Sequence, residues 1–470
     1  MQVDKIAACE NLMSPSDFKV IHLDGKSYLY LADTMQIFDL DDPRILDYCR
    51  ICNTRRKRVE TDLTARDIAK IDKFIKRQSD NGPQPHFIDV APGRISGLIM
   101  NVAKDCNLDC RYCFAYDERW SGQARMDYSQ AKDSVDFLVE SNPEVTAFTL
   151  TFFGGEPFLN FDVIKRLVRY CERKYVKGQG KKFGYSATTN GTVLTDKMLD
   201  FMIRHHVSLV VSLDGPKNIQ DSNRSYKNGR SSFSRIMKNI DKLKNTNIKF
   251  MLRPTITADC QDIMEIVHFM DGFELAYGLE FVQKTNFKDS DETIFSRDSL
   301  KGLRKQYTQM LNHFCDLIDR GESVYCMNIF NSFRQIHYQM PKDIPCMAGR
   351  TSLTVNPDGT LFSCQNITNS MEICLGTCKS GINEDMLRMT SARSVYDMPN
   401  CRRCWARLLC GGACLAEKYV DNGTFVRPVK ETCAIRKIQW EGYLELYQKI
   451  MNRHPDWMEN VRPYDDLPNH

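Results

Sequence analysis

Short apolar segments alternate with amphipathic ones between residues 95 and 285, and this rhythm predicts the central fold. Six apolar runs have the length of buried strands: Leu98–Val102, Phe148–Phe153, Phe183–Ala187, Val207–Leu213, Phe250–Ile256 and Leu279–Val282. Between them, apolar residues recur at helical spacing, as in Val163, Ile164, Leu167, Val168 and Cys171. Strands that alternate with helices indicate βαβ units and a parallel sheet. The pattern predicts an α/β fold, either a partial (βα)6 TIM-like barrel or an open doubly wound sheet.

The residues before this region predict a small unit that is rich in strands. Three apolar runs supply its strands: Val20–Leu23, Tyr28–Leu31 and Met35–Leu40. Asp24-Gly25 between the first two is a strong hairpin signal. Thr64 begins a helix with Asp67 as its capping partner. The stretch Ser79–Pro85 lacks periodicity and is expected to be a linker.

Cysteines and glycines become dense after about residue 335, and little periodicity survives there. That composition predicts a small domain held by metal sites rather than by a large apolar core. We therefore expect three domains, which comprise residues 1–85, 86–335 and 336–470.

Composition narrows the class of protein. Apolar residues make up 42% of the 470, and the charge sum of 64 − 60 = +4 does not suggest a nucleic-acid or membrane binder. No apolar stretch approaches the roughly 20 residues that a bilayer requires, and Met1–Glu10 lacks the core of a secretory signal. We expect a cytoplasmic protein, in which the 19 cysteines are metal ligands or catalysts where they cluster. The isolated pair Cys49-x2-Cys52 is interpreted as core thiols.

Three cysteines directly follow the first predicted strand of the central region. Cys106, Cys110 and Cys113 are spaced so that one short loop can wrap three thiolates round a single cluster. Soft thiolates suit iron–sulfur chemistry, and three ligands leave one iron of a [4Fe–4S] cluster open. A structural zinc site is the alternative, although it would require a fourth ligand nearby.

This triad resembles the signature of the radical S-adenosylmethionine (radical SAM) enzymes, with Tyr112 before the last cysteine. Further motifs of that family follow in order: Gly154-Gly155-Glu156-Pro157, Thr188-Thr189-Asn190-Gly191, Ser212-Leu213-Asp214-Gly215-Pro216 and Arg224. The resemblance implies a [4Fe–4S] cluster, SAM at its open iron, and chemistry by a 5′-deoxyadenosyl radical. The implied SAM contacts are Gly154, Gly155, Glu156, Asn190, Ser212 and Arg224. The family often has His where this chain has Gln220.

The C-terminal cysteines resemble those of the SPASM domain, an extension that carries two auxiliary [4Fe–4S] clusters. The resemblance implies a first auxiliary set, which consists of Cys346, Cys364 and Cys414. It also implies a second auxiliary set, which consists of Cys401, Cys404, Cys410 and Cys433. Zinc knuckles are the alternative, because Cys-x2-Cys suits tetrahedral zinc as well. The first set keeps an open iron unless another cysteine completes it, and the candidates are Cys326, Cys374 and Cys378.

The whole layout resembles the maturases that install Cys-to-carbon thioether bridges in ribosomal peptides (ranthipeptide and SCIFF types). In them, a winged-helix-like N-terminal unit recognises the leader of a precursor peptide. The resemblance further implies a flavodoxin- or ferredoxin-type electron donor. Anaerobic sulfatase maturases, which form formylglycine, are the nearest alternative. Another radical SAM peptide modification, such as a C–C crosslink or quinohemoprotein-type maturation, is a second alternative, and a non-catalytic iron–sulfur carrier is a third. Glu280, at the end of the last predicted strand, is the candidate base, or else a structural carboxylate in an ion pair.

Overall fold

The N-terminal unit is a three-stranded antiparallel sheet followed by two helices. The structure is a computed structural model that describes residues 13–54, 61–81, 94–115, 123–260, 262–284 and 291–461. The elements of the unit are β1 (Phe18–Leu23), β2 (Lys26–Leu31), β3 (Ile37–Asp39), α1 (Pro43–Asn53) and α2 (Ala65–Asn81). Asp24 and Gly25 have φ angles of 48° and 79°, which a tight hairpin turn requires. The predicted hairpin and third strand are confirmed, whereas α1 is an additional helix.

Thr64 and Asp67 cap α2 reciprocally, as predicted. The Asp67 amide donates to Thr64 Oγ1 (3.2 Å), and the Thr64 amide donates to Asp67 Oδ2 (3.1 Å). The linker expected over 79–85 is wrong for its first three residues, since α2 continues to Asn81. Residues 79–81 contain neither Gly nor Pro, and residues 82–85 lie outside the described part of the chain. Cys49 and Cys52 are buried in the apolar core of this unit, as the sequence suggested.

The central region alternates strands with helices. Its strands are β4 (Gly97–Ala103), β5 (Leu108–Cys110), β6 (Ala147–Gly154), β7 (Lys182–Thr189), β8 (Val207–Ser212), β9 (Arg224–Tyr226), β10 (Phe250–Arg253), β11 (Thr255–Ile256) and β12 (Glu280–Phe281). Its helices are α3 (Tyr128–Glu140), α4 (Phe161–Cys171), α5 (Asp196–Arg204), α6 (Lys217–Asn223), α7 (Phe233–Lys244), α8 (Ile263–Asp271), α9 (Leu300–Asp319) and α10 (Met327–His337). The main strands are parallel in the order β10-β8-β7-β6-β4, and β11 pairs in parallel with β12. All six predicted strands and the α/β class are confirmed.

The C-terminal region extends this sheet instead of forming a separate one. Its strands are β13 (Ser352–Val355), β14 (Thr360–Phe362), β15 (Gly376–Thr377) and β16 (Gly381–Ile382). Its helices are α11 (Glu384–Thr390), α12 (Pro399–Arg402), α13 (Arg407–Cys410), α14 (Leu415–Asn422), α15 (Lys430–Arg453) and α16 (Trp457–Asn460). β13 pairs in parallel with the free edge of β4, from Ser352 opposite Gly97 to Val355 opposite Met100. The parallel sheet therefore does not close at β4, because β4 meets β13 on that edge.

Helix α15 connects the C-terminal region to the main apolar core. This 24-residue helix packs along α9, and its buried residues join the main apolar core. That core extends from Tyr28 and Tyr30 of β2, through the central strands, to Leu444 of α15. Within the described ranges, no helix is long and apolar enough to cross a membrane.

Candidate active site

One cavity lies at the carboxyl edge of the parallel strands, and the three cysteines of the barrel triad line it. Cys106, Cys110 and Cys113 occupy the loop after β4. The ends of the neighbouring strands supply the facing wall, which includes Gly154, Gly155, Thr188, Thr189, Asn190, Ser212, Thr255 and Glu280. Loops at this edge of a parallel sheet are where such folds place their chemistry. The motifs noted in the sequence therefore converge on one site.

Local backbone pairing fixes the cysteine loop. β5 pairs antiparallel with β9, which places Cys110 directly opposite Arg224. Cys106 Sγ accepts from the Leu108 amide (3.4 Å) and from Asn190 Nδ2 (3.6 Å). Burial raises the pKa of the Cys106 thiol to about 11 and that of Cys110 further still. A buried thiol of this kind ionises when a metal binds it, because the metal supplies the compensating charge.

The donor set fits an iron–sulfur cluster. Three thiols share one cavity, and N–H groups directed at sulfur are the contacts that tune such clusters. Arg224 Nη1 lies 4.0 Å from Cys110 Sγ and brings a positive charge towards the thiolates. In a [4Fe–4S] cluster each thiolate binds its own iron, so the three sulfurs need not meet at one point. Among the described residues, no three His, Cys, Asp or Glu side chains are arranged to hold a single metal ion.

Gly154 and Gly155 permit a close backbone approach, but the partner is the cysteine loop itself. Gly154 has φ 126°, and a Cβ there would lie 2.0 Å from the Ala103 carbonyl oxygen. A Cβ on Gly155 would lie 2.4 Å from the Asp105 carbonyl oxygen. Both glycines also line the cavity. They therefore bring the end of β6 against the segment that leads into Cys106 while leaving backbone exposed to a ligand.

Glu156 has a different place from the one expected. Its side chain is fully buried, and it is absent from the residues described as lining the cavity. Oε1 accepts from Thr189 Oγ1 (2.8 Å) and the Phe158 amide (3.1 Å), and Oε2 accepts from the Asn190 amide (2.7 Å). Burial raises its pKa to about 7, against the lowering effect of these donors. Glu156 thus positions Asn190, and the contact of the Gly154–Pro157 segment with SAM stays a prediction.

Asp214 links several elements of the site, although the sequence motif does not single it out. It is fully buried and accepts from Arg224 Nε (3.0 Å), Asn223 Nδ2 (3.2 Å), the Thr255 amide (3.1 Å) and the Tyr112 hydroxyl. Burial raises the pKa of Tyr112, and Asp214 adds to the rise. Asp214 therefore fixes the orientation of Arg224, whose remaining N–H groups are directed at the cavity side. Its position at a strand end, next to Ser212, is the only sequence signal for it.

Gln220 stabilises the backbone of Asp214 through a hydrogen bond. It is fully buried, its Oε1 accepts from the Asp214 amide (2.9 Å), and its Nε2 donates to Ser232 Oγ (3.0 Å). Gln220 thus holds the turn after β8, while Ser212 lines the cavity directly. The position at which the family often has His is a structural one here.

The outer part of the cavity combines polar and aromatic side chains. Phe114 and Phe153 stack with ring centroids 5.9 Å apart. Glu280 lies on β12, and its Oε1 is 3.6 Å from Arg253 Nη2. Both predicted features of Glu280 are therefore present, since it borders the cavity and has an ion-pair partner. Gln365 and Asn366 reach the same cavity from the loop after Cys364, so the C-terminal region forms part of its wall.

The thiols within each predicted auxiliary set are within electrostatic range of one another. In the second set, burial raises the pKa of Cys433 to about 12, and the neighbouring thiols of Cys410, Cys401 and Cys404 add to the rise. In the first set, burial raises the pKa of Cys364, with Cys414 and Cys346 adding to it. Cys364 and Cys401 are buried, the other thiols are partly buried, and Cys346 is exposed. The thiols of each set are of the type that fits a thiolate-bound metal centre.

The three candidates for completing the first set have other contacts. Cys326 is fully buried beside Asn328, with Sγ 3.7 Å from Asn328 Oδ1. Cys378 contacts Ser134 Oγ of α3 at 3.5 Å. Cys374 donates to the Gly376 carbonyl at 3.3 Å. These contacts do not involve the first set, and its completion by a fourth cysteine stays a prediction.

Comparison with known proteins identifies the class. Residues 100–269 match the model of the radical SAM superfamily, which includes the barrel triad and the other site motifs. The resemblance to radical SAM enzymes is confirmed: residues 100–269 form a radical SAM domain, and this superfamily uses SAM and a [4Fe–4S] cluster.

Two curated relatives cover most of the chain. The radical SAM cyclopropyl synthase TigE of Paramaledivibacter caminithermalis is 24% identical over 79% of this chain and 76% of its own length. A serine-type anaerobic sulfatase-maturating enzyme of Klebsiella aerogenes is 23% identical over 68% of this chain and 79% of its own.

Two solved structures share the fold. The sulfatase maturase anSMEcpe with bound AdoMet has a TM-score of 0.64 at 18% identity and covers 78% of this chain and 96% of its own. Streptococcus suis SuiB bound to its precursor peptide SuiA has a TM-score of 0.51 at 12% identity and covers 89% and 98%. At these identities, the structures establish the fold alone.

Proposed function

We propose that this protein is a radical SAM peptide maturase that forms Cys-to-carbon thioether crosslinks in a ribosomally made precursor peptide. When bound, SAM and the reduced cluster on the barrel triad supply a 5′-deoxyadenosyl radical, which removes hydrogen from an unactivated carbon. The observation that supports thioether formation is the first auxiliary set, in which Cys364 is within electrostatic range of Cys414 and Cys346. A cluster held by three thiolates has a position open to the cysteine of a substrate.

The chain's own residues have three proposed tasks: they bind SAM, orient it and keep water away from the reacting carbon. Ser212, Asn190 and Arg224 line the cavity and would hold SAM there, and Asp214 keeps the Arg224 fork in position for a carboxylate. Phe114 and Phe153 form an apolar wall that excludes water from a reactive carbon. Glu280 is the proposed proton acceptor for the substrate, with Arg253 holding it in place.

The N-terminal unit, expected as residues 1–85, is the proposed leader-recognition element. β2 occupies the middle of its sheet, so β3 offers one edge to which an extended peptide can add as a further strand. SuiB, the neighbour whose structure contains a precursor peptide, aligns with 89% of this chain. The other proposed partner is a flavodoxin- or ferredoxin-type electron donor.

A formylglycine-forming activity is the second candidate. The sulfatase maturases favour it, since one of them matches 68% of this chain and another shares its fold with a TM-score of 0.64. The two activities differ in their products. A thioether consumes the cysteine thiol, whereas formylglycine replaces a Cys or Ser side chain with an aldehyde.

Mass spectrometry of a modified peptide decides between them. The enzyme is incubated anaerobically with SAM, reductant and a cysteine-containing precursor encoded beside its gene, and the product is treated with iodoacetamide. We expect a loss of two hydrogens per bridge and one cysteine that no longer alkylates. A free thiol with the same mass loss would contradict thioether formation, and an aldehyde would establish the alternative.

Iron content tests the cofactor assignment separately. After anaerobic reconstitution, three clusters of four irons correspond to about twelve irons per chain. Replacing Cys106, Cys110 and Cys113 with Ala should remove one third of the iron and abolish SAM cleavage. Zinc in place of iron, without absorbance in the visible region, would contradict the assignment.

A further inference from the structure

Lys418 is a buried cation that lies between the two auxiliary cysteine sets. It is on α14, one helical turn after Cys414, and only 1% of it is exposed. Its Nζ lies 3.1 Å from Met398 Sδ, and Met398 comes three residues before Cys401. The side chain therefore starts beside a cysteine of the first set and ends beside the segment that carries the second.

The electrostatic surroundings of Lys418 agree with this placement. Burial lowers the pKa of its ammonium, while the thiols of Cys401, Cys414, Cys410 and Cys346 act in the opposite direction. Two of these thiols belong to each set. One ammonium is thus within electrostatic range of both.

Within the described part of the chain, no carboxylate forms an ion pair with Lys418. Its neighbour Glu417 is engaged elsewhere, because its Oε1 accepts from Thr432 Oγ1 (2.6 Å) and the Lys284 amide (3.3 Å). The Met398 thioether is a weak acceptor and carries no charge. Burying an ammonium without an anion costs free energy of folding, so negative charge close to Lys418 would stabilise this site.

Thiolate-bound iron–sulfur clusters carry that negative charge. We propose that Lys418 is an electrostatic bridge, which balances the charge of both auxiliary clusters and raises both of their reduction potentials. The physical reason is that reduction adds an electron to each cluster, and a nearby cation stabilises the more negative form. The proposal rests on the cluster assignment made under the proposed function. It adds a residue that sets how readily the auxiliary clusters accept an electron.

Another nearby cation has different surroundings. Arg436 is also close to Cys410, but Glu280 and Glu417 are within its electrostatic range, and its Nη1 donates to Gln439 Oε1 (3.1 Å). Removing the charge of Arg436 therefore disturbs an existing network of carboxylates. Lys418 is the cleaner position for a test of charge alone.

The test is a redox titration monitored by electron paramagnetic resonance. It uses the full chain with Cys106, Cys110 and Cys113 replaced by Ala, so that only the auxiliary clusters report. We expect Lys418→Met to lower the reduction equilibrium constant of both clusters about tenfold, which is about 59 mV for a one-electron couple. Lys418→Arg should stay near the parent value because it keeps the charge. Lys181→Met is the control, since that ammonium donates to the carbonyls of Pro143 and Val145, in the central region.

Thermal unfolding of the iron-free chain gives a second readout. We expect Lys418→Met to raise its melting temperature, because the substitution removes an uncompensated buried charge. A lower melting temperature would show that the ammonium has another anion, and unchanged potentials in a fully loaded variant would show that it does not act on the clusters. Either result overturns the bridge and leaves the cluster assignment intact. A parent protein that binds no auxiliary iron overturns both.

Discussion

The barrel site and the auxiliary region balance their buried charges in opposite ways. In the barrel site, Arg224 is paired with Asp214, which also accepts from Tyr112. In the auxiliary region, Lys418 has a thioether as its hydrogen-bonding partner and thiols around it. In the barrel site, the protein itself supplies the anionic partner of the buried cation. In the auxiliary region, a bound anionic group has to supply it.

This difference predicts how each region depends on its cofactor. A site whose polar groups satisfy one another is preorganised, so loss of its cluster removes chemistry and little structure. A site in which the metal centre supplies the missing charge couples binding to folding. The N-terminal unit shares in that dependence, because Arg407 connects it to the loop of the second auxiliary set.

The largest expected effect comes from removing the thiols of each region in turn. Replacing Cys401, Cys404 and Cys410 with Ala should reduce the free energy of unfolding by about 5 kcal/mol or more, because the bound centre contributes to folding. Replacing the barrel triad with Ala should abolish SAM cleavage and cost much less stability. Anaerobic chemical denaturation measures both, and equal losses of stability would contradict the comparison.

Breaking the internal pairing of the barrel site should also have a large effect. Asp214→Asn leaves the Arg224 guanidinium without its anion, which costs about 3–5 kcal/mol for a buried pair. SAM affinity, measured by equilibrium dialysis, should fall more than tenfold because the fork loses its orientation. Asp196→Asn is the control, since that carboxylate is 84% exposed in its pair with Lys242. Unchanged SAM affinity in Asp214→Asn would remove Asp214 from the site.

The pH dependence of stability tests a buried carboxyl of the barrel site. Burial raises the pKa of Glu156 from 4.5 to about 7, so the unfolded chain loses this proton first. Stability should therefore fall as pH rises from about 4.5 to about 7, by at most about 3 kcal/mol, and level off above that. Glu156→Gln should lack this component, whereas Glu140→Gln, at an exposed carboxylate, should keep it. Parallel pH profiles for the parent and Glu156→Gln would contradict the prediction.

The smallest expected effect concerns the contact between the N-terminal unit and the auxiliary region. Arg407 pairs with Asp33 (2.6 Å) and donates to the carbonyls of Ser16 (2.6 Å) and Cys404 (3.1 Å). Arg407→Ala should cost about 1–2 kcal/mol and make the N-terminal unit more susceptible to limited proteolysis. Arg388→Ala, at an exposed pair with Asp385, is the control. Equal proteolysis in both variants would show that the contact contributes nothing.

The strands and the order of the site motifs follow from the sequence because both are local signals. Each predicted strand of the central region is an apolar run, and each motif sits where such a run ends, as Ser212 does after β8. Helix α15 could not be predicted from apolar periodicity, because its buried residues lie against several elements and do not form one narrow stripe.

Residues that act through other residues could not be found in the same way. Glu156 looks like a ligand in its motif, yet it is turned inward by the amides of Phe158 and Asn190. Asp214 and Lys418 carry no spacing signal, because their importance comes from contacts with distant segments such as Tyr112 and Met398. Distances of this kind depend on tertiary packing, which a single sequence does not encode as a pattern.

The pairing of β4 with β13 fixes the distance between the loops that follow the two strands. β4 leads into Cys106 and β13–β14 lead towards Cys364, so a ladder of backbone hydrogen bonds fixes the separation of the two loops that carry these cysteines. Lys104 Nζ fastens the two loops by contacting Thr368 Oγ1 and Asn369 Oδ1, both at 3.1 Å. Electron transfer between two centres weakens steeply with the distance between them, so this separation has to be kept. The sheet sets the separation and the surface loops do not, so the surface loops can vary in sequence. The chain cannot slip by one residue in β13, because that slip would change the spacing and exchange the residues on the two faces of a strand that is buried on both.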